Sequence, residues 1–147
     1  MTTLLAVAVC IGSASAKTKE GKTTRFVGDE YSKVMNYTSS DIEYIVGSPR
    51  VEILGNKQAR ESIMLMSEGE TLMIHTDENS CEEEPAKIRV YGHKVESIML
   101  YGSGDAMVGD LTGNNVSLML FGSGDIKASS VIGASVSLGV FGSGDMI

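Results

Sequence analysis

Cysteine is scarce in this chain: of 147 residues only Cys10 and Cys81 carry a thiol. Cys10 falls in an apolar N-terminal run and Cys81 in an acidic stretch, so no internal disulfide framework is expected. Tryptophan is absent and there are two prolines. The only histidines are His75 and His93, and no Cys/His pair has zinc spacing. No serine lies in G-x-S-x-G, and no Gly-rich stretch is followed by G-K-S/T, which removes the usual serine-hydrolase and phosphate-loop signatures. Basic residues are thin: 12 Lys and Arg stand against 19 Asp and Glu, a net charge of −7. After Lys94 the only base is Lys127. Such a chain repels nucleic acid and anionic lipid surfaces, so neither is an expected partner. No apolar run approaches the roughly 20 residues that span a bilayer.

The one apolar run is Leu4 to Ile11, LLAVAVCI, followed by Ala14-Ser15-Ala16 and the charged start Lys17-Thr18-Lys19-Glu20. An apolar region, a small-residue cleavage site and a charged mature start describe a secretory signal, although residues 1–5 lack the basic flank. Residues 1–16 are therefore read as a signal peptide cut before Lys17, and 17–147 as one domain. The alternative is a buried N-terminal strand. Val9, before Cys10, does not suit a lipidation site.

What is abundant is glycine, 17 residues placed periodically. ESIMLYGSGD (96–105), VSLMLFGSGD (116–125) and VSLGVFGSGD (136–145) recur at intervals of twenty. The last two agree in chemical type at every position but Gly139 for Met119. Twenty residues are too few for a helix-pair repeat, and the leucine-rich pattern is absent. The expectation is all-β: a parallel β-helix or β-solenoid with coils of about 20 residues, stacked at about 4.8 Å. Ile98 and Leu100, Leu118 and Leu120, Leu138 and Val140 face inward, while Ser97, Ser117 and Ser137 face outward. Residues 110–115 and 129–133 are read as turns that bring the chain back.

The corner glycines 102, 104, 122, 124, 142 and 144 are read as structural turn residues adopting positive φ. Asp105, Asp125 and Asp145 then stack in a column as the corners' hydrogen-bond acceptors. A Ca²⁺ ladder on the same three is the lesser reading, because calcium takes six to eight oxygens. Upstream, Tyr37-Thr38-Ser39-Ser40-Asp41 fills the frame of FGSGD as a degenerate corner. Strands are expected at 41–46, 50–54, 62–66, 70–75 and 87–91, an irregular first part of the domain. Residues 76–85, TDENSCEEEP, read as an acidic exposed loop.

The three GSGD corners, the degenerate corner at 37–41, GETLMI at 69–74 and KIRVY at 87–91 together resemble the "putative auto-transporter adhesin, head GIN domain" family over roughly residues 26–147. The resemblance implies a right-handed β-solenoid, secreted to the periplasm or outer surface of a Gram-negative, Bacteroidetes-like cell. It brings no catalytic residues, metal or cofactor. Family members continue past the point where this chain ends, so the chain reads as C-terminally truncated.

One departure is chemical. The outward positions before each corner are apolar here: Met99 and Tyr101, Met119 and Phe121, Gly139 and Phe141. Either the N-terminal strands cover this stripe, or it is exposed as a candidate interface. The expected function is a non-catalytic binding or adhesion-type scaffold whose partner is a second copy, an envelope protein or a glycan. The alternatives are a polysaccharide-active β-helix enzyme and a purely structural self-associating element.

Overall fold

The computed structural model describes residues 21–25, 30–79 and 84–147. The proposed signal segment and residues 80–83 of the acidic run, Cys81 among them, lie outside them. The described chain is all-β, with β1 (Gly21–Arg25), β2 (Lys33–Asn36), β3 (Asp41–Val46), β4 (Arg50–Gly55), β5 (Ile63–Glu68), β6 (Thr71–Thr76), β7 (Lys87–Gly92), β8 (Ser97–Leu100), β9 (Ala106–Leu120) and β10 (Ile126–Val140). A single short helix, α1 (Lys57–Ser62), follows β4.

The ten strands form one sheet that curls into an open half-barrel. It has two wings. The first holds β5, β6, β2, β8 and the C-terminal ends of β9 and β10; the second holds β1, β4, β7, β3 and the N-terminal ends of β9 and β10. The corners at 37–40, 101–104 and 121–124 carry the chain from one wing to the other.

The twenty-residue repeat becomes strand register. Ile98 pairs with Leu118 and Leu118 with Leu138, all parallel. Residues 110–115 and 129–133 are expected as turns, but both lie inside strands, and 110–113 stay paired with 130–133 while the chain comes round. Adjacent coils of equal length follow the same path, so their backbones keep hydrogen bonding through the bend.

The chain is not one parallel coil in sequence order. β1–β4, β4–β7 and β5–β6 are antiparallel. The β2–corner–β3 unit sits between β6–β7 and β8–β9, and β7 inserts between β3 and β4. Gly69, at φ +60°, opens the two-residue turn of the β5–β6 hairpin, where a Cβ would be disfavoured.

Alternation places the core. Val34, Leu72, Ile98, Leu100, Leu118 and Leu120 from the first wing join Ile42, Ile53, Ile88, Val90, Val108 and Ile126 from the second in one buried cluster. α1 closes the base. Asn56 caps it by accepting the Ala59 N–H at 2.8 Å, and Arg60 reaches back to the Gly55 carbonyl and the Thr23 hydroxyl.

The second wing's outer face is charged. Glu52, only 7% exposed, meets Arg50 at 3.4 Å, Lys22 at 3.7 Å and the Tyr91 hydroxyl at 3.3 Å. Burial pushes its carboxyl up, but the hydrogen bonds and charges of Arg50, Lys22 and Tyr91 outweigh this and hold it below the ordinary value. Arg89 bridges Glu43 at 3.4 Å on the neighbouring strand. Inside, Tyr31 donates to the Tyr91 carbonyl and Tyr44 to the Gly92 carbonyl, and burial raises both phenols above the ordinary tyrosine value.

Candidate functional site

Two features converge at the corners: a column of aspartates and a column of rings.

The corner glycines do not have positive φ; among the described glycines only Gly55 and Gly69 do. Their necessity comes from stacking. A Cβ on Gly102 would lie 1.9 Å from the Thr38 carbonyl oxygen, and one on Gly104 2.3 Å from that of Ser40. On Gly122, Gly124, Gly142 and Gly144 the equivalent distance to the carbonyl oxygen of the preceding corner is 1.6–1.9 Å. The first corner has no GSGD corner beneath it and keeps side chains. Asn36 Oδ1 accepts from the Thr38 N–H and hydroxyl, and Thr38 Oγ1 accepts from the Ser40 N–H.

The aspartates link coils rather than cap their own corners. Asp41 Oδ1 accepts the Asp105 N–H at 2.9 Å, Asp105 Oδ1 that of Asp125 at 2.9 Å, and Asp125 Oδ1 that of Asp145 at 2.8 Å. Each carboxylate receives a fixed dipole from the next coil, which offsets like-charge proximity along the column. Asp41, Asp105 and Asp125 edge an open depression of about 330 Å³, with Lys87, Arg89 and Lys127 also on its wall. Among the described residues no group of three or more His, Cys, Asp or Glu is placed to hold a metal ion.

The rings form a longer column than the repeat alone announces. His75, Tyr37, Tyr101, Phe121 and Phe141 stack in that order, with centroids 4.7–5.0 Å apart and planes within 1–10° of parallel. Backbone bonds one level deep hold them in step: the N–H groups of Tyr37, Tyr101, Phe121 and Phe141 donate to Ile74, Asn36, Leu100 and Leu120. The spacing is the strand spacing, and it falls within the range in which aromatic pairs attract. Faces are turned toward one another and edges point outward.

Beside the rings runs a methionine row. Met66 pairs with Met73, Met73 with Met35, Met35 with Met99, and Met99 with Met119. The row ends at Gly139, where a Cβ would lie 2.8 Å from Met119 Sδ, so that thioether lies over the glycine. The Tyr37 and Tyr101 hydroxyls reach Met35 Sδ at 3.7 Å and Met99 Sδ at 3.5 Å.

The structure thus brings Met99, Tyr101, Met119, Phe121 and Phe141 onto one outer face. The described N-terminal strands do not cover it; β2, β6 and β5 lie alongside and extend it. Tyr37 and Phe121 are each 40% exposed and Met66 53%. Sequence reasoning missed His75, Met73, Met35 and Met66 as members. The signal was there: in LMIH, Met73 and His75 have the parity of Met99 and Tyr101. His93, by contrast, pairs with Glu30 at 3.3 Å away from this face.

No helix among the described residues is long and apolar enough to cross a membrane. No curated protein matches the chain. In fold it is similar to a crystallised "putative adhesin" from Bacteroides fragilis, at 16% identity and TM-score 0.63, with 89% of this chain and 97% of that one covered. It is similar also to a "putative cell adhesion protein" from Clostridium sporogenes, at 12% identity and TM-score 0.53, with 87% and 98% covered. A sequence model described as "Putative auto-transporter adhesin, head GIN domain" matches residues 30–147, and the chain belongs to that family.

Proposed function

We propose that the protein is a non-catalytic binding module of adhesion type, working at the cell surface or in the envelope through the outer face of its first wing. The observation that carries this reading is the paired column of five stacked rings and five methionines on a sheet face that the described strands leave uncovered. A contiguous exposed apolar patch on a folded domain marks a contact surface. The family and fold relatives described as adhesins fit this reading. The stacked corners and twenty-residue register favour the β-solenoid architecture, with the right-handed coil that the family resemblance implies.

The stacking also favours an apolar partner over a glycan. Sugar binding on aromatic residues uses an open ring face, and here faces are engaged by neighbouring rings at 4.7–5.0 Å. The polysaccharide-cleaving alternative has less support. Asp105 and Asp125 stand in one column with an oxygen of each committed to a backbone N–H, rather than facing one another across a groove.

Adsorption to methyl-terminated and hydroxyl-terminated monolayers, followed by quartz microbalance, tests the reading. The protein should prefer the methyl surface, and Met99→Lys should remove that preference while Met107→Lys, on the other wing, should not. Equal adsorption to both surfaces by the unaltered protein would sink it.

A further inference from the structure

The two outer faces of the sheet differ in a way that identifies an occupant. The second wing presents Glu52, Arg89, Glu43, Met107 and Lys127 in one cross-strand row, four of the five charged. The first wing presents the methionine row and the ring column with no carboxylate in either. Pairing through the methionine and ring rows buries no carboxylate, lysine or arginine of those rows, whereas pairing through the second wing would have to desolvate its two acids and two bases.

The face is also self-complementary. Flexible half-buried methionines run parallel to a column of ring edges, of which Phe141 stands most exposed, followed by Tyr37 and Phe121. A twofold axis lying in the interface, parallel to the two rows and midway between them, sets each copy's ring column on the other's methionine row. Isologous pairing requires that relation, and thioethers meeting ring edges is a favourable contact. Six strands at about 4.8 Å and three outward rows at about 6.6 Å, the rings, the methionines and the polar row Glu68, Thr71, Lys33, Ser97, Ser117 and Ser137 beside them, give a patch of about 600 Å² per copy. The total of about 1,200 Å² reaches the lower bound of specific interfaces.

We propose that the first-wing face pairs with the same face of a second copy, forming a reversible twofold dimer. This rests on the reading of that face as the contact surface and names its partner. An interface at this lower bound fits a weak, reversible pair, so the dimer is sought around a Kd on the order of 10 µM.

Sedimentation equilibrium at concentrations on both sides of that value tests the proposal. The unaltered protein should pass from monomer to dimer mass. Met99→Lys, a half-exposed outward position whose fold is checked by circular dichroism, should remain monomeric. Met107→Lys should dimerise like the unaltered protein. A monomer at every concentration, or a dimer that persists in Met99→Lys, would overturn the pairing. A monomer that still prefers the methyl-terminated surface overturns only the pairing; one without that preference overturns the contact-face reading as well.

Discussion

The carboxylate of Asp105 accepts the backbone N–H of Asp125, one coil further on, at 2.9 Å. The same bond recurs from Asp41 to Asp105 and from Asp125 to Asp145, so a repeated residue acts as a tie between coils. Asp105→Ala should lower stability by about 1 kcal/mol in urea unfolding, the scale of one charge-assisted hydrogen bond on an exposed corner. Asp105→Asn, which keeps an acceptor oxygen, should lose less. Because one oxygen of each of Asp41, Asp105 and Asp125 is engaged by a backbone N–H, and no three acidic, His or Cys groups among the described residues converge on a metal position, EDTA should leave the melting temperature unchanged; a fall would point to a bound cation.

Two glycines make a paired test of why the corner repeats. A Cβ at Gly122 meets the Gly102 carbonyl oxygen at 1.7 Å, a contact that only backbone movement relieves. At Gly139 the nearest atoms are Met119 Sδ and Phe141 Cε2, both at 2.8 Å and both at the ends of side chains. Gly122→Ala should cost more than about 3 kcal/mol, and Gly139→Ala less than about 1 kcal/mol. Thermal denaturation of the two variants reads the difference directly.

Stability should fall at both ends of the pH range, for opposite reasons. Glu52 titrates below its ordinary 4.5 when folded. As pH drops past that value the unfolded chain takes up the proton first, so the contribution of Glu52, complete above it, fades until the folded carboxyl protonates. Glu52→Gln should flatten the acid limb of a plot of melting temperature against pH. Tyr31 and Tyr44, both raised above 10.0 by burial, act at the alkaline end. Above that pH the unfolded chain ionises and the folded one does not, so stability declines, and Tyr44→Phe should reduce the slope.

Periodicity made much of this fold legible. Alternation marked the strands at 41–46, 50–55, 71–76 and 87–92 almost to the residue, and the repeat gave the register of Leu118 on Ile98. Pairing order was not legible. Nothing local to Lys87–Gly92 says that it will lie between β3 and β4, because partner choice depends on which faces remain to be buried. The helix at 57–62 is too short for a hydrophobic period, and its one signal is the Asn56 cap. The corner glycines were recognised, but they answer to the carbonyl stacked against them rather than to φ. The ring column was partly visible: the repeat gave Tyr101, Phe121 and Phe141 and the degenerate corner put Tyr37 in their frame, whereas His75 joins it through β6, outside the repeat.

The central claim is that the methionine and ring face is where this protein makes contact. Methionine-methyl NMR in the presence of decyl-coated silica particles tests it most directly, since Met35, Met73, Met99 and Met119 lie on that face and Met107 lies on the other wing. The account predicts broadening of the first four methyl resonances while Met107, 60% exposed, stays sharp. Broadening of Met107 equal to theirs, or none at the four, would contradict it.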